Sequence, residues 1–160
     1  MAVPVLAVAA GYAAWRARVS GTDHWWRPAV AAGVLMALVP AFVVPVKELT
    51  DRPGTPAVPP GTGYFPSGHT ATAVVAYGCA ALLLLPWLRR AAARRAAVVL
   101  CALLNLGVGL GLVRHGYHWP LDVAASWCLG AVLLSLYAAL FSRSSRRTSA
   151  GTPSRRTGPS

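Results

Sequence analysis

An all-α, polytopic membrane helix bundle of about five transmembrane helices is the fold class this sequence predicts, on three observations. Of its 160 residues, 56% are hydrophobic and only 12% are charged, a balance suited to a bilayer rather than to a soluble domain of this length. Apolar runs recur that approach or reach the roughly 17–25 residues needed to cross a hydrocarbon core. The arginines lie between those runs rather than inside them.

The runs come in order. Residues 2–15 are short and give a marginal first span; no positive segment precedes them, so they do not read as a signal peptide. Residues 28–46 form a second span, with Pro40 and Pro45 expected to kink its outer end. Residues 68–88, 96–113 and 119–141 supply the rest. The membrane-embedded domain is therefore 1–141. The tail, 142–160, is rich in Ser, Arg and Gly and is expected to be a disordered, basic, cytoplasmic segment facing anionic lipid. Cys79, Cys101 and Cys128 each sit within an apolar run, and none pairs with a nearby Cys or His at metal-ligand spacing, so they read as small core residues.

Charge placement gives the orientation. The chain has 15 Lys plus Arg against 4 Asp plus Glu. In a soluble protein this would point to nucleic acid; with Arg between apolar runs, the membrane surface is the partner and no nucleic acid is expected. Twelve basic residues fall in alternate loops and the tail: Arg16, Arg18 and Arg27; Arg89, Arg90, Arg94 and Arg95; Arg143, Arg146, Arg147, Arg155 and Arg156. The positive-inside tendency makes that side cytoplasmic and puts the N-terminus outside. Trp15, Trp25, Trp26 and Trp87 lie near the same boundary, as interfacial anchors do. Lys47, Arg52 and Arg114 break the rule. They gather on the outer side with His69, His118 and Asp122.

Three segments of that outer side carry chemistry. In "FPSGHT", 65–70, Ser67 suits a helix N-cap and Gly68 allows close approach to free backbone N–H groups, which favours an anion. His69 beside it could give a proton to a leaving oxygen; the bland alternative is an ordinary interfacial histidine. In "RHGYHWPLDV", 114–123, His118 and Asp122 are four apart, so on a helix the carboxylate would take one ring nitrogen and orient the other. The alternative is a purely structural pair. His115 has no carboxylate at that spacing. In "KELTDRP", 47–53, Lys47 and Arg52 could hold a phosphate, or be neutralised by Glu48 and Asp51. The Pro- and Gly-rich loop 47–66 cannot be helical throughout and reads as a shaped rim or a passive linker.

Together these segments resemble the type 2 phosphatidic acid phosphatase (PAP2) superfamily, in its membrane lipid phosphatase branch. Its signatures run Lys-x6-Arg-Pro, Pro-Ser-Gly-His and Ser-Arg-x5-His-x3-Asp. "PSGH" at 66–69 matches in full, and His118-x3-Asp122 matches the end of the third. The resemblance covers roughly residues 40–135. It departs at Gly54, where the first signature has Arg, and at Gly111 and Leu112, where the third has Ser-Arg. Arg52 and Arg114 lie close by in sequence.

The resemblance implies hydrolysis of a lipid phosphate or diphosphate at the outer face of the plasma membrane, without metal or other cofactor. His118 would be the nucleophile, forming a phosphohistidine. Asp122 would orient it and His69 would protonate the leaving oxygen. Lys47, Arg52, Ser67, Gly68 and Arg114 would bind the phosphoryl group. Undecaprenyl diphosphate, phosphatidic acid and phosphatidylglycerophosphate are candidate substrates. Family members usually have six spans with both ends cytoplasmic, so a count of five leaves two readings: the first family helix is missing, or the true start lies upstream. A catalytically weakened lipid-phosphate binder is the competing reading, supported by the displaced arginines. A small transporter subunit would need charges at mid-span, and none is seen. The oligomeric state is not legible.

Overall fold

The computed structural model describes residues 1–149, with side chains through residue 141. Five helices follow one another: α1 Ala2–Val19, α2 Arg27–Thr50, α3 Gly68–Leu84, α4 Ala91–Arg114 and α5 Pro120–Ser149. A single 3-10 turn, Leu85–Trp87, extends α3. No strand occurs among the described residues. The part of the expected tail at 150–160 lies outside the described residues.

Four helical segments are long and apolar enough to cross a bilayer: Arg27–Thr50, Gly68–Trp87, Ala91–Arg114 and Pro120–Phe141. The protein is thus a multi-pass membrane protein built as an all-α bundle. The marginal run at 2–15 forms an 18-residue helix ending in Arg16 and Arg18. With both arginines in its last turn, α1 stands outside that set of four.

The bundle is built around α3, which touches each of the other four helices. Over half of its apolar stretch is buried, against almost none of α4. Residue size explains this centrality. Ala71, Ala73, Ala76, Gly78, Cys79 and Ala80 are all buried on α3, and small side chains let helix backbones approach. A Cβ on Gly78 would run into Leu134 of α5, and one on Gly130 of α5 would run into Val74. Leu6, Ala9 and Ala13 of α1, Ala32, Val39 and Val43 of α2, and Leu133 and Tyr137 of α5 pack into the same core.

The helix α2 is continuous through Pro40 and Pro45, as membrane helices allow where neighbouring groups meet the freed carbonyls. It ends at Asp51, whose left-handed backbone (φ 43°) turns the chain out of the helix. The segment up to Ser67 is then irregular.

The two ends of the bundle differ in character. At one, the Arg16 guanidinium lies 5.4 Å from the Trp87 ring centroid, and that of Arg18 5.6 Å from Trp25. The Tyr137 hydroxyl donates to the Pro28 carbonyl there, at 2.9 Å. At the other end, the start of α1, the end of α2, the start of α3 and the α4–α5 turn line one cavity.

Candidate active site

The α4–α5 turn sets the site's geometry. Gly116, with φ 73°, takes a left-handed conformation that L side chains rarely adopt. Pro120 opens α5, where its missing N–H costs nothing. Asp122, in the first turn, reaches back to accept the Trp119 backbone N–H at Oδ2, 3.0 Å. This is the reciprocal half of a capping box. The same oxygen lies 3.3 Å from Nδ1 of His118. The expected shared helical face is therefore replaced by a different device: His118 lies just before the helix, and Asp122 clasps it across the helix start.

Asp122 is fully buried and makes one more contact. Its Oδ1 accepts Nη1 of Arg52 at 3.1 Å, from a side chain that is 32% exposed. The carboxylate thus holds His118, Trp119 and Arg52 at once, and a buried carboxylate needs such partners.

The start of α3 is locked to the same helix. Ser67 is buried and caps α3, accepting the Thr70 N–H at Oγ, 3.3 Å. Its own N–H donates to the Asp122 carbonyl at 3.1 Å. The Ser126 hydroxyl donates to the carbonyls of Ser67 and Asp122, both at 2.8 Å. Ser126 was not picked out from the sequence, though it stands one turn after Asp122 on the same helix. It ties the Pro-Ser-Gly-His segment to the His-x3-Asp segment.

Lys47 and Arg52 are placed by the loop between α2 and α3. Lys47 Nζ donates to the Gly63 carbonyl at 2.7 Å. The Arg52 guanidinium lies 5.7 Å from the Phe65 ring centroid, and its carbonyl accepts the Tyr64 N–H at 3.2 Å. Among the described residues, neither cation forms an ion pair with Glu48 or Asp51. The Thr55 hydroxyl donates to the Gly116 carbonyl, clasping this loop to the α4–α5 turn. Tyr64, also not picked out from the sequence, meets His118 edge-on with ring centroids 6.4 Å apart.

A cavity of about 840 Å³ opens at this end. Lys47, Gly63, Tyr64, Gly68, His69 and His118 line its polar part. Val39, Val43, Val44, Ala73, Tyr77 and Val108 line an apolar part. His69 is exposed, whereas His118 is only 8% exposed. Burial pushes the His118 imidazole below its ordinary value; Asp122 opposes this, while Lys47 and His69 add like-charge repulsion. This lowering favours the neutral ring, and its Nδ1 contact leaves Nε2 for other chemistry. Arg114 is placed differently. It is exposed at the end of α4, with no hydrogen bond or ion pair among the described residues, and the cavity lining does not include it. No group of three His, Cys, Asp or Glu side chains gathers among the described residues as a metal ion would require.

A profile of the PAP2 superfamily matches residues 45–146, which contain all these ionisable groups. The chain belongs to the PAP2 superfamily. No curated protein and no solved structure matches it. PAP2 membership supports phosphate-ester hydrolysis as the general activity, and the apolar helices fit membrane lipids as partners. The structure also accounts for one PAP2 departure. A Cβ on Gly54 would meet Val58 and come within 2.8 Å of the Tyr64 ring. An arginine at position 54 would have to displace these side chains, and Arg52, two residues earlier, bonds Asp122.

Proposed function

We propose that the protein is an integral-membrane lipid phosphatase or diphosphatase that works through a phosphohistidine at the outer face of the plasma membrane. The observation that carries this is a single cavity joining His118, backed by Asp122, to His69 and an apolar wall. A lipid phosphate has that same division between charged head and apolar chain. Undecaprenyl diphosphate, phosphatidic acid and phosphatidylglycerophosphate all fit the description.

In this reading Nε2 of His118 attacks phosphorus, and the bond from phosphorus to the leaving oxygen breaks. His69 gives that oxygen its proton. Asp122 keeps Nδ1 engaged, so the ring is oriented for attack. Lys47 and the backbone N–H groups of the first turn of α3 from Gly68 onward, fixed by the Ser67 cap, receive the phosphoryl oxygens, and Arg114, outside the cavity lining, meets the phosphate as it arrives. A water molecule, losing a proton to His69, then attacks phosphorus, breaks the P–N bond and releases phosphate. The basic residues at the far end of the bundle support the outward orientation of the site.

A second reading has one observation in its favour. Lys47 and Arg52 are already engaged by the Gly63 carbonyl and by Asp122, which suits a protein that binds a lipid phosphate without turning it over. Purified protein in detergent decides between them. With chelator present, phosphate release from any of the three lipids, together with an acid-labile phosphoenzyme lost in His118→Ala, supports the phosphatase. Saturable binding without release supports the binder.

A further inference from the structure

We propose that Arg52 is a positioning residue, acting on His118 through Asp122, rather than a ligand of the substrate's phosphate. Three contacts pin it. Its Nη1 bonds Asp122 Oδ1 at 3.1 Å. Its guanidinium packs 5.7 Å from the Phe65 centroid. Its backbone carbonyl takes the Tyr64 N–H, and Tyr64 is the residue whose ring meets His118. The loop from 52 to 64 and the nucleophile are thus fastened to one another at two points, both involving Arg52.

Charge balance gives the physical reason. Asp122 has no exposure at all. Its other partners are a backbone N–H and an imidazole that must be neutral to attack, so among the described residues Arg52 is the one full positive charge hydrogen-bonded to it, with Lys47 attracting it from beyond ion-pair distance. Without that charge the buried carboxylate is left poorly compensated, and breaking such a pair is far more costly than the pair is worth. The carboxylate would then turn or admit water, and His118 would lose its bearing. A side chain at Gly54, two residues on, would have to displace Val58 and the Tyr64 ring, which disfavours a cation there.

A double-mutant cycle separates this role from phosphate binding. Arg52→Ala, Asp122→Asn and the double variant are compared by kcat on phosphatidic acid micelles and by the inhibition constant of orthovanadate, a phosphate mimic. Arg52→Ala is expected to lower kcat by roughly ten- to a hundredfold, the scale of a misplaced reacting group. In the Asp122→Asn background the same change is expected to cost no more than about twofold, since residues acting through one another are not additive. The orthovanadate constant should stay within about threefold, well short of the ~1.4 kcal/mol that a tenfold change represents. Arg52→Lys keeps the charge beside Asp122 and should recover most of the lost kcat; it also stands in if Arg52→Ala does not insert. Equal losses in both backgrounds, with orthovanadate weakened tenfold or more, would make Arg52 a phosphate ligand and overturn the proposal.

The proposal rests on the phosphatase reading only for its kinetic readout. If the wild type turns over no lipid phosphate, that reading fails by itself, and Arg52 is then read by 15N titration of His118. The charged and titratable groups facing that ring are Lys47 from α2, His69 from α3 and Asp122 from α5, with Tyr64 from the loop. Arg52→Ala should move the His118 midpoint upward, and the shift should vanish in the Asp122→Asn background. An unmoved midpoint overturns the positioning role.

Discussion

Oδ2 of Asp122 accepts the backbone N–H of Trp119 while also meeting Nδ1 of His118. One carboxylate oxygen therefore both closes the first turn of α5 and orients the ring beside it. His118→Ala removes the ring and leaves the cap, so the variant should fold and insert but lose turnover and the phosphoenzyme together. Asp122→Asn keeps an oxygen for the cap, so it should fold too, with kcat lowered but measurable. Phosphatase assays on membranes with matched protein content check both; near-normal activity in His118→Ala would remove it as nucleophile.

The pH dependence follows from the burial of His118. Its proton affinity is pushed down by burial and by Lys47 and His69, against the pull of Asp122. The attacking form is the neutral ring. A lowered value keeps the ring neutral to lower pH, so the acid limb of kcat/KM should fall below about 6.5, the ordinary histidine value. Lys47→Ala removes one repulsive cation and should move that limb upward, even as it lowers the plateau. A limb that moves downward would mean that Lys47 does not face His118.

Much of this was legible in the sequence because its signals are local. Apolar length, the Ser67 cap and the Pro120 helix start depend on neighbours along the chain, and the helices follow them. What was not legible depends on contacts far apart. The Arg52–Asp122 pair joins residues 70 apart, and the Ser126–Ser67 bond joins residues 59 apart. Spacing within either segment carries no trace of them. Reading His118 and Asp122 as neighbours on a helix gave the right pair by the wrong geometry, since an N-terminal clasp and a helical turn share the same interval of four.

Gly54 offers a test of how far the PAP2 pattern can be restored. An arginine there would drive its Cβ into Val58 and the Tyr64 ring. Gly54→Arg should therefore displace the loop that leans on His118 and destabilise it by about 1–3 kcal/mol, the usual scale of overpacking. Activity should fall. Thermal unfolding in detergent and kcat are the measurements; unchanged stability with a rise in kcat would show that the loop has room for the cation.

The sidedness of the site is testable without any substrate. The arginine-rich ends of α1 and α4, with the tail, should be cytoplasmic, and the Lys47–Phe65 stretch external. In a background lacking Cys79, Cys101 and Cys128, Ala92→Cys should resist an impermeant thiol reagent in whole cells, and Pro59→Cys should react. Labelling at 92 from outside would invert the bundle and place His118 in the cytoplasm.

Arg114 presents the sharpest contrast within the cation set. Lys47 donates to the Gly63 carbonyl and Arg52 to Asp122, whereas Arg114 is exposed and has no partner among the described residues. It ends α4 four residues before His118. A free guanidinium at a membrane surface is well suited to catch an incoming phosphate, because its fork can take two oxygens and its charge is not already spent. Such a contact forms in the ground state and persists through the transition state, so its loss should appear mainly as a raised KM. Arg114→Ala should raise KM roughly tenfold or more, the scale of about 1.4 kcal/mol, with a smaller drop in kcat. Arg114→Lys should recover little, since a point charge lacks the fork. Added salt should weaken substrate binding in the wild type more than in the alanine variant, because an exposed contact is screened. If Arg114→Ala leaves kcat, KM and the salt dependence unchanged in an active enzyme, Arg114 serves only the membrane surface, and Lys47 with the start of α3 must hold the phosphate unaided.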